Sequence, residues 1–152
     1  MLLALTLATY INSIQGAQYD HIKENEGFRS EIYKDSLGYD TIGYGHRWSS
    51  RDISRHLQLR GLQKYQADEI FREDISSAES IANRLRGYSS LTPDQKECVV
   101  EICFVLGNKV HTFKRFKSAL LSNDIPEMKR ELINSRWFIQ CPNRVKNICA
   151  RL

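Results

Sequence analysis

The sequence predicts an α+β fold that is mostly helical, with a small antiparallel β-sheet near the start of the chain. Two extended runs, over residues 29–34 and 40–44, are joined by turn residues and predict the sheet. A long stretch over 65–86 repeats its apolar residues with a period near 3.6, which is typical of one long amphipathic helix. We therefore expect a small strand-containing lobe and a larger helical lobe, joined by that helix.

Length and composition indicate an ordinary globular protein. A chain of 152 residues is long enough to form one domain with a real core. Its hydrophobic content of 41% and charged content of 26% are those of soluble proteins. The formal net charge of +4 favours anionic partners, either nucleic acid or an acidic polysaccharide such as a bacterial wall, and it is equally compatible with simple solubility.

Residues 1–18 predict an additional N-terminal helix ahead of a domain over 19–152. No basic residue opens the segment, as a signal peptide would require, and polar residues interrupt the apolar run that a membrane span needs. We favour a helix that packs on the core, while a membrane-associated segment and a cleaved signal stay open. Its apolar residues at helical spacing are Leu3, Leu7, Tyr10, Ile11 and Ile14.

The domain itself divides into three expected parts. They are a sheet-containing lobe over 19–64, a connecting helix over 65–86 and a helical lobe over 87–152. The first part opens with a short helix over 19–25, which should end before Gly27 because glycine commonly follows a helix C terminus.

Capping residues predict where the later helices begin. Thr92 is a good N-cap, Pro93 suits the first helical position, and Gln95 completes a capping box. The following run CVVEICFVLGN is apolar almost all round, so this helix should be central and buried. Further helices are expected within 49–61, near Lys114, at Asp124 and at Pro142.

The four cysteines do not form a zinc-binding pattern. No two of them have the two-residue gap of a zinc knuckle, and no histidine lies at ligand spacing. Cys98, Cys103 and Cys149 lie in apolar runs, where a free cysteine behaves as a small buried hydrophobic residue. A disulfide between two cysteine-bearing helices stays open at this level.

The stretch EGFRSEIYKDSLGYDTIGYGH, from Glu26 to His46, carries the strongest functional signal. It places Glu26 at a helix end, Asp35 at a glycine-containing turn and Thr41 at the start of an extended run. Hydrolysis of a glycosidic bond needs one acid to protonate the leaving oxygen and one carboxylate that acts on the other face of the sugar. The sequence therefore predicts an enzyme, a glycoside hydrolase.

The three residues suit different steps of that reaction. Glu26 is the expected general acid, Asp35 would activate a water, and Thr41 would hold that water with its hydroxyl. Direct attack by water inverts the anomeric carbon and places the two carboxyl groups roughly 6.5–9.5 Å apart. Singly, a glutamate before glycine, an aspartate in a turn and a threonine in a strand are common structural choices, and their joint spacing favours the catalytic interpretation.

The same stretch closely resembles the T-even phage lysozymes of glycoside hydrolase family 24, as does SRWFIQCPNRVK over 135–146. Looser similarity extends over about residues 22–152. The resemblance implies a two-lobed, lysozyme-like fold and a muramidase that cuts the β-1,4 bond between N-acetylmuramic acid and N-acetylglucosamine without a metal or cofactor. It also assigns the catalytic roles to Glu26, Asp35 and Thr41.

The resemblance implies further site residues. Arg144 would pair with the catalytic glutamate, and His46 would pair with Asp74 to tie the sheet lobe to the long helix. Phe104 would contact the substrate. At three other substrate-contacting positions the family has leucine, serine and asparagine, whereas this sequence has Arg47, Phe116 and Glu131. These differences affect which sugars and cross-bridges the protein would prefer.

Two alternative functions stay open from the sequence, and a nucleic-acid binder is a weaker third one. A lytic transglycosylase would keep the acid but dispense with the water-directing carboxylate, so Asp35 and Thr41 count against it. A wall-binding virion module would use the site only for attachment. A nucleic-acid partner is not expected, because the basic residues form no stripe with interleaved aromatics outside 111–117.

The expected partner is bacterial peptidoglycan, and the expected state is a monomer. The protein would stay in the host cytoplasm until its release to the periplasm and wall, or it would be carried in the virion. Residues 1–17 are the candidate contact with a membrane or a virion.

Overall fold

The computed structural model describes residues 18–35, 38–49, 52 and 61–152. Their backbone forms two compact units, one ending at Asp74 and the other spanning Ile75–Leu152. Nearly all of the predicted N-terminal helix over 1–18, and most of the predicted helix within 49–61, lie outside the described residues.

The first unit contains the small antiparallel sheet. Its strands pair in the order β1-β2-β3, with β2 in the centre. The predicted short helix and both predicted strands are confirmed within about two residues. Strand β3 was not predicted, because two residues are too few to show an alternating pattern. The elements are α1 (Asp20–Glu26), β1 (Arg29–Lys34), β2 (Asp40–Gly43), β3 (His46–Arg47) and the first part of α2 (Lys64–Asn83).

Aromatic packing joins the sheet to α2. The ring of Tyr44, just after β2, lies 5.9 Å from that of Phe71 in α2 and 5.6 Å from that of Phe28, between ring centroids. Lys23 of α1 places its ammonium 5.3 Å from the Phe71 ring centroid and 3.1 Å from an Asp68 carboxylate oxygen. Helix α1, the sheet and α2 therefore share one small core.

Helix α2 ends earlier than its apolar pattern suggests. The prediction extended to residue 86, whereas the α-helix ends at Asn83. The N–H groups of Arg84 and Leu85 bond to carbonyls three residues back, which is the tighter 3₁₀ geometry common at helix ends. Leu85 is nevertheless buried, so the apolar pattern continues past the end of the helix.

Gly87 permits the turn that follows α2. Its φ is +93°, and a Cβ added there would lie 2.3 Å from the backbone carbonyl oxygen of Leu120. Any other residue would combine an unfavourable backbone conformation with a clash against main chain, which cannot move aside as a side-chain tip can. The chain therefore passes through glycine before the 3₁₀ turn Tyr88–Ser90.

The second unit is helical and begins its helices where the sequence predicts. Thr92 accepts a hydrogen bond from the Gln95 N–H, and the Gln95 side chain accepts one from the Thr92 N–H, which confirms the capping box. Asp124 caps its helix through the Glu127 N–H at 3.0 Å. The helices are α3 (Pro93–Leu106), α4 (Lys114–Leu121), α5 (Ile125–Ile133), α6 (Arg136–Gln140) and α7 (Pro142–Arg151), with a 3₁₀ helix over Gly107–Thr112.

Helix α6 was not predicted, because five residues are too short for a periodic pattern. Its N-cap is Ser135, whose hydroxyl accepts from the Phe138 N–H at 3.2 Å and donates to the Leu132 carbonyl at 2.6 Å. Trp137 is buried at 5% exposure and anchors this short helix in the core.

Helix α3 is buried, as predicted, and α7 packs against it. The apolar side chains of Val145, Ile148 and Leu152, in α7 and directly after it, are all buried. One charged side chain on α3, Glu101, is only 1% exposed and is paired with the guanidinium of Arg151. A buried carboxylate needs such a partner, so this ion pair connects the end of the chain to the centre of the unit.

All four cysteines are free thiols in the structure, so the disulfide left open by the sequence is not formed. The predicted burial of Cys98, Cys103 and Cys149 is confirmed. Burial disfavours the thiolate, and it raises the pKa of Cys98 to about 11 and that of Cys103 to about 12. These two thiols are therefore neutral packing groups at ordinary pH.

Candidate active site

Glu26 is the last residue of α1 and packs against a glycine of the sheet. The helix ends because Gly27 turns the chain at φ +69°, while its N–H still bonds to the Lys23 carbonyl at 2.9 Å. A Cβ added to Gly45, in the β2–β3 turn, would lie 2.8 Å from Glu26 Oε2 and 3.0 Å from its carboxyl carbon. The half-buried Glu26 carboxyl group therefore lies directly on the Gly45 backbone.

Asp35 and Thr41 are held by the same backbone residue, Tyr39. The Tyr39 N–H donates to Asp35 Oδ1 at 2.8 Å. The Tyr39 carbonyl accepts from the Asp35 N–H at 2.9 Å and from Thr41 Oγ1 at 3.1 Å. Their separation of six residues therefore has a direct structural reason, which is a hairpin turn closed through the backbone of one residue.

Strand register puts the functional side chains on one face of the sheet. Thr41 lies opposite Tyr33 on one side and opposite Arg47 on the other. Directly opposite residues in antiparallel strands point to the same face. Asp35 follows β1 directly, two positions after Tyr33, and its carboxylate is held by the Tyr39 N–H at the same end of the hairpin. Thr41 itself is buried at 4% exposure, so its hydroxyl occupies a restricted position.

The phenol of Tyr33 is affected by both predicted catalytic carboxylates. Burial raises the pKa of Tyr33, the negative charge of Glu26 raises it further, and Asp35 adds to this effect. Arg29 opposes the shift, because its guanidinium carbon lies 4.4 Å from the centroid of the Tyr33 ring. The charges of Glu26 and Asp35 therefore both act on one phenol.

His46 faces the opposite side of the sheet from Thr41, and it is bound by two carboxylates. Its strand partner is Ile42, the neighbour of Thr41. The ring nitrogen Nδ1 lies 2.8 Å from an Asp74 oxygen on α2, which is the pair expected from the resemblance. The other nitrogen, Nε2, lies 3.2 Å from an oxygen of Asp52.

The second carboxylate, Asp52, was not predicted as a partner of His46. It is 4% exposed and accepts hydrogen bonds from the Ser49 N–H at 2.6 Å and from the Ser49 hydroxyl at 2.7 Å. The signal was present in the sequence, because Ser-x-x-Asp is a capping pattern. The capping pattern does not indicate that the Asp52 carboxylate also contacts His46.

This arrangement predicts a stability that depends on pH. Burial opposes the charged imidazole, but hydrogen bonds and attraction from Asp74 and Asp52 outweigh it and raise the pKa of His46 above 6.5. Burial likewise opposes ionised Asp52, but the Ser49 hydrogen bonds and His46 lower its pKa below 3.8. The stability contributed by charged His46 is complete below about pH 6.5 and is lost as the pH rises through the raised pKa of His46. The stability contributed by ionised Asp52 is complete above about pH 4 and is lost as the pH falls through the lowered pKa of Asp52.

We therefore expect the free energy of unfolding, measured with urea, to fall as the pH is raised from 6 to 9. The variant His46→Gln should show a flatter pH dependence over this interval, because it cannot lose a proton there. His111→Gln removes a histidine from the second unit and should keep the wild-type slope. An equally steep decline in His46→Gln would show that the pH dependence arises elsewhere.

The remaining predicted site residues belong to the second unit. Phe104 in α3 and Arg144 in the first turn of α7 are half-buried, and Glu131 in α5 has a carboxylate oxygen 4.0 Å from the guanidinium of Arg115. Phe116 is 1% exposed and forms part of the core. Its burial counts against the predicted substrate contact, because a buried ring offers no surface to a sugar. The pairing of Arg144 with the catalytic glutamate stays a prediction.

The described residues contain neither a metal-binding cluster nor a membrane-spanning helix. Among them, no group of three or more His, Cys, Asp or Glu side chains is arranged to hold a metal ion. No helix in the same part of the chain is both long enough and apolar enough to cross a membrane. That the reaction needs no metal or cofactor stays a prediction.

Comparison with known proteins identifies the family. Residues 23–150 match the family described as "Phage lysozyme". "Probable T4-type lysozyme 1" of Dictyostelium discoideum is 28% identical over 154 residues, and "Probable T4-type lysozyme 2" of the same organism is 25% identical over 153. Each alignment covers 86% of this chain and 90% of the relative. The chain therefore belongs to the phage lysozyme family, and it is a lysozyme-type glycoside hydrolase that degrades peptidoglycan.

Proposed function

We propose that this protein is a muramidase that hydrolyses the β-1,4 bond between N-acetylmuramic acid and N-acetylglucosamine with inversion at the anomeric carbon. The observation that carries the proposal is the pair of hydrogen bonds made by the Tyr39 backbone. The Tyr39 N–H binds the carboxylate of Asp35, and the Tyr39 carbonyl binds the hydroxyl of Thr41. An inverting hydrolase needs such a pair to hold its attacking water.

Glu26 acts as the general acid. Its carboxyl group is half-buried against Gly45, where restricted access of solvent suits a group that must carry a proton to the substrate. As the bond between the anomeric carbon and the bridging oxygen breaks, the Glu26 proton moves to that oxygen. The leaving sugar then departs as a neutral alcohol.

Asp35 and Thr41 act on the water. The Thr41 hydroxyl donates to the Tyr39 carbonyl, so the lone pairs of its oxygen can accept a hydrogen bond from the water. The water oxygen attacks the anomeric carbon from the face opposite the leaving group, and its proton passes to Asp35. Proton exchange with solvent then restores protonated Glu26 and ionised Asp35.

A lytic transglycosylase acting on the same bond is the main alternative. Such an enzyme uses a hydroxyl of the sugar itself as the nucleophile and leaves anhydro-muramic ends. It would not need a carboxylate and a hydroxyl that are both held by the backbone of one residue, and this arrangement favours hydrolysis. A non-catalytic wall-binding module would need neither a general acid nor a carboxylate and hydroxyl that hold a water.

The products distinguish these functions. Purified peptidoglycan digested with the protein should yield fragments with reducing muramic ends in mass spectra. Proton NMR during the first minutes should show the α-anomer appearing before mutarotation. Anhydro ends would identify a transglycosylase, β-anomers would contradict inversion, and wall binding without fragments would identify a binding module.

We also propose that Phe104 and Glu131 contact the glycan, as the resemblance implies, and that the enzyme acts as a monomer without metal or cofactor. Residues 1–17 would determine where it acts. They would either keep it in the host cytoplasm until release to the wall, or attach it to a membrane or virion. Fractionating the expressed full chain and a chain lacking residues 1–17 into membrane and soluble pools tests this, since an unchanged distribution would remove the proposed role of the segment.

A further inference from the structure

Arg47 forms a flat surface with Tyr39 on the catalytic face of the sheet. Its guanidinium carbon lies 3.7 Å from the centroid of the Tyr39 ring, which is stacking distance. Both side chains are exposed, with Tyr39 at 42%. Stacking restricts a side chain that would otherwise sample many conformations, so the guanidinium is preorganised for a ligand.

The charge of Arg47 is not used by the part of the chain that the structure describes. No carboxylate of those residues lies within ion-pair distance of it, whereas Lys23, Lys34 and Arg151 of the same part all have one. The stack on Tyr39 contacts the face of the guanidinium. The N–H groups at its edge point outward in the plane and remain able to donate.

The position of Arg47 connects it to the reaction. It lies directly opposite Thr41 in the β2–β3 pair, and such partners have Cβ atoms about 5 Å apart. Its stacking partner Tyr39 is the residue whose backbone holds Asp35 and Thr41. A group bound at Arg47 would therefore lie beside the two residues proposed to hold the attacking water.

We propose that Arg47 and Tyr39 form a subsite for a carboxylate of the peptide stems that peptidoglycan carries on its muramic residues. This inference rests on the proposed function. A guanidinium offers two parallel N–H donors, which match the two oxygens of a carboxylate. Among the groups that project from the glycan, the stem carboxylates are the planar anions that fit. The enzyme would thus prefer chains that carry charged stems.

The test uses two forms of one substrate. Peptidoglycan freed of phosphate-containing polymers is divided, and one half has its carboxylates converted to neutral amides with carbodiimide and methylamine. For the wild-type protein we expect kcat/KM to be about 3- to 10-fold lower on the amidated wall, mainly through KM, because a charge-assisted hydrogen bond is lost at an exposed site. The variant Arg47→Met should cleave both walls at the same rate, and this rate should equal that of the wild-type protein on the amidated wall.

Two further variants separate this site from general attraction. Arg72→Met removes an exposed positive charge from α2 and should retain the wild-type preference. Arg47→Lys keeps the charge but loses the paired donors, and it should retain only part of the preference. Circular dichroism spectra and thermal melting would verify that each variant folds.

The outcomes are distinguishable. Equal wild-type rates on both walls would overturn the carboxylate subsite and leave hydrolysis intact. A preference that survives in Arg47→Met would also overturn it, because the carboxylate would then bind elsewhere. A wild-type protein that cleaves neither wall would instead contradict the proposed function.

Discussion

Glu26→Gln is expected to lose wall-clearing activity while keeping its fold. The amide has nearly the same shape as the carboxyl group and can still pack against Gly45, but it cannot deliver a proton to the leaving oxygen. General acid catalysis contributes about 10²- to 10⁴-fold to rate, so kcat should fall by that factor. The measurement is the rate of reducing-end release from purified peptidoglycan, together with binding of the variant to intact wall.

Glu24→Gln provides the matched control. Glu24 lies on the same helix and is exposed, so this variant has the same change of charge without touching the carboxyl group beside Gly45. It should retain wild-type activity. Unchanged wall clearing by Glu26→Gln would contradict the proposed mechanism. Loss of both activity and folding would instead indicate a structural role for the glutamate.

Gly45→Ala should reduce activity more than its effect on stability explains. The new methyl group would lie 2.8 Å from Glu26 Oε2, so the carboxyl group must move away from its place beside the sheet. The alanine would also have to adopt φ +80°, which costs about 1–3 kcal/mol. A displacement of about 1 Å at a catalytic group can cost about 10²-fold in rate. The measurements are the reducing-end assay and urea unfolding.

Gly61→Ala separates the two effects of that substitution. Gly61 has φ +82°, so alanine there meets the same backbone cost. Among the residues that the structure describes, its added Cβ would contact only the tip of the exposed Glu31 side chain, at 3.3 Å, and this tip can move. Gly61→Ala should therefore lose similar stability and keep its activity. If Gly45→Ala were as active as Gly61→Ala, close packing of Glu26 on the glycine would be irrelevant to catalysis.

Local signals account for the elements that were predicted well. The capping residues of α3 and α5 lie within three positions of the groups they bond, so the sequence contains both partners. The same argument explains what was missed. Strand β3 and helix α6 are too short to show a period, and the end of α2 could not be recognised because the buried Leu85 continues the apolar pattern into a 3₁₀ turn.

The three candidate catalytic residues could be recognised without the structure, because Asp35 and Thr41 both bond to the nearby Tyr39 backbone and Glu26 lies at a local helix end. The residues that surround them could be identified only from the folded chain. His46 takes its carboxylates from positions 6 and 28 residues away, and Glu26 packs on a glycine beyond two strands. This difference arises from separation along the sequence. Capping and turn bonds join residues a few positions apart, whereas packing joins residues that only the folded chain brings together.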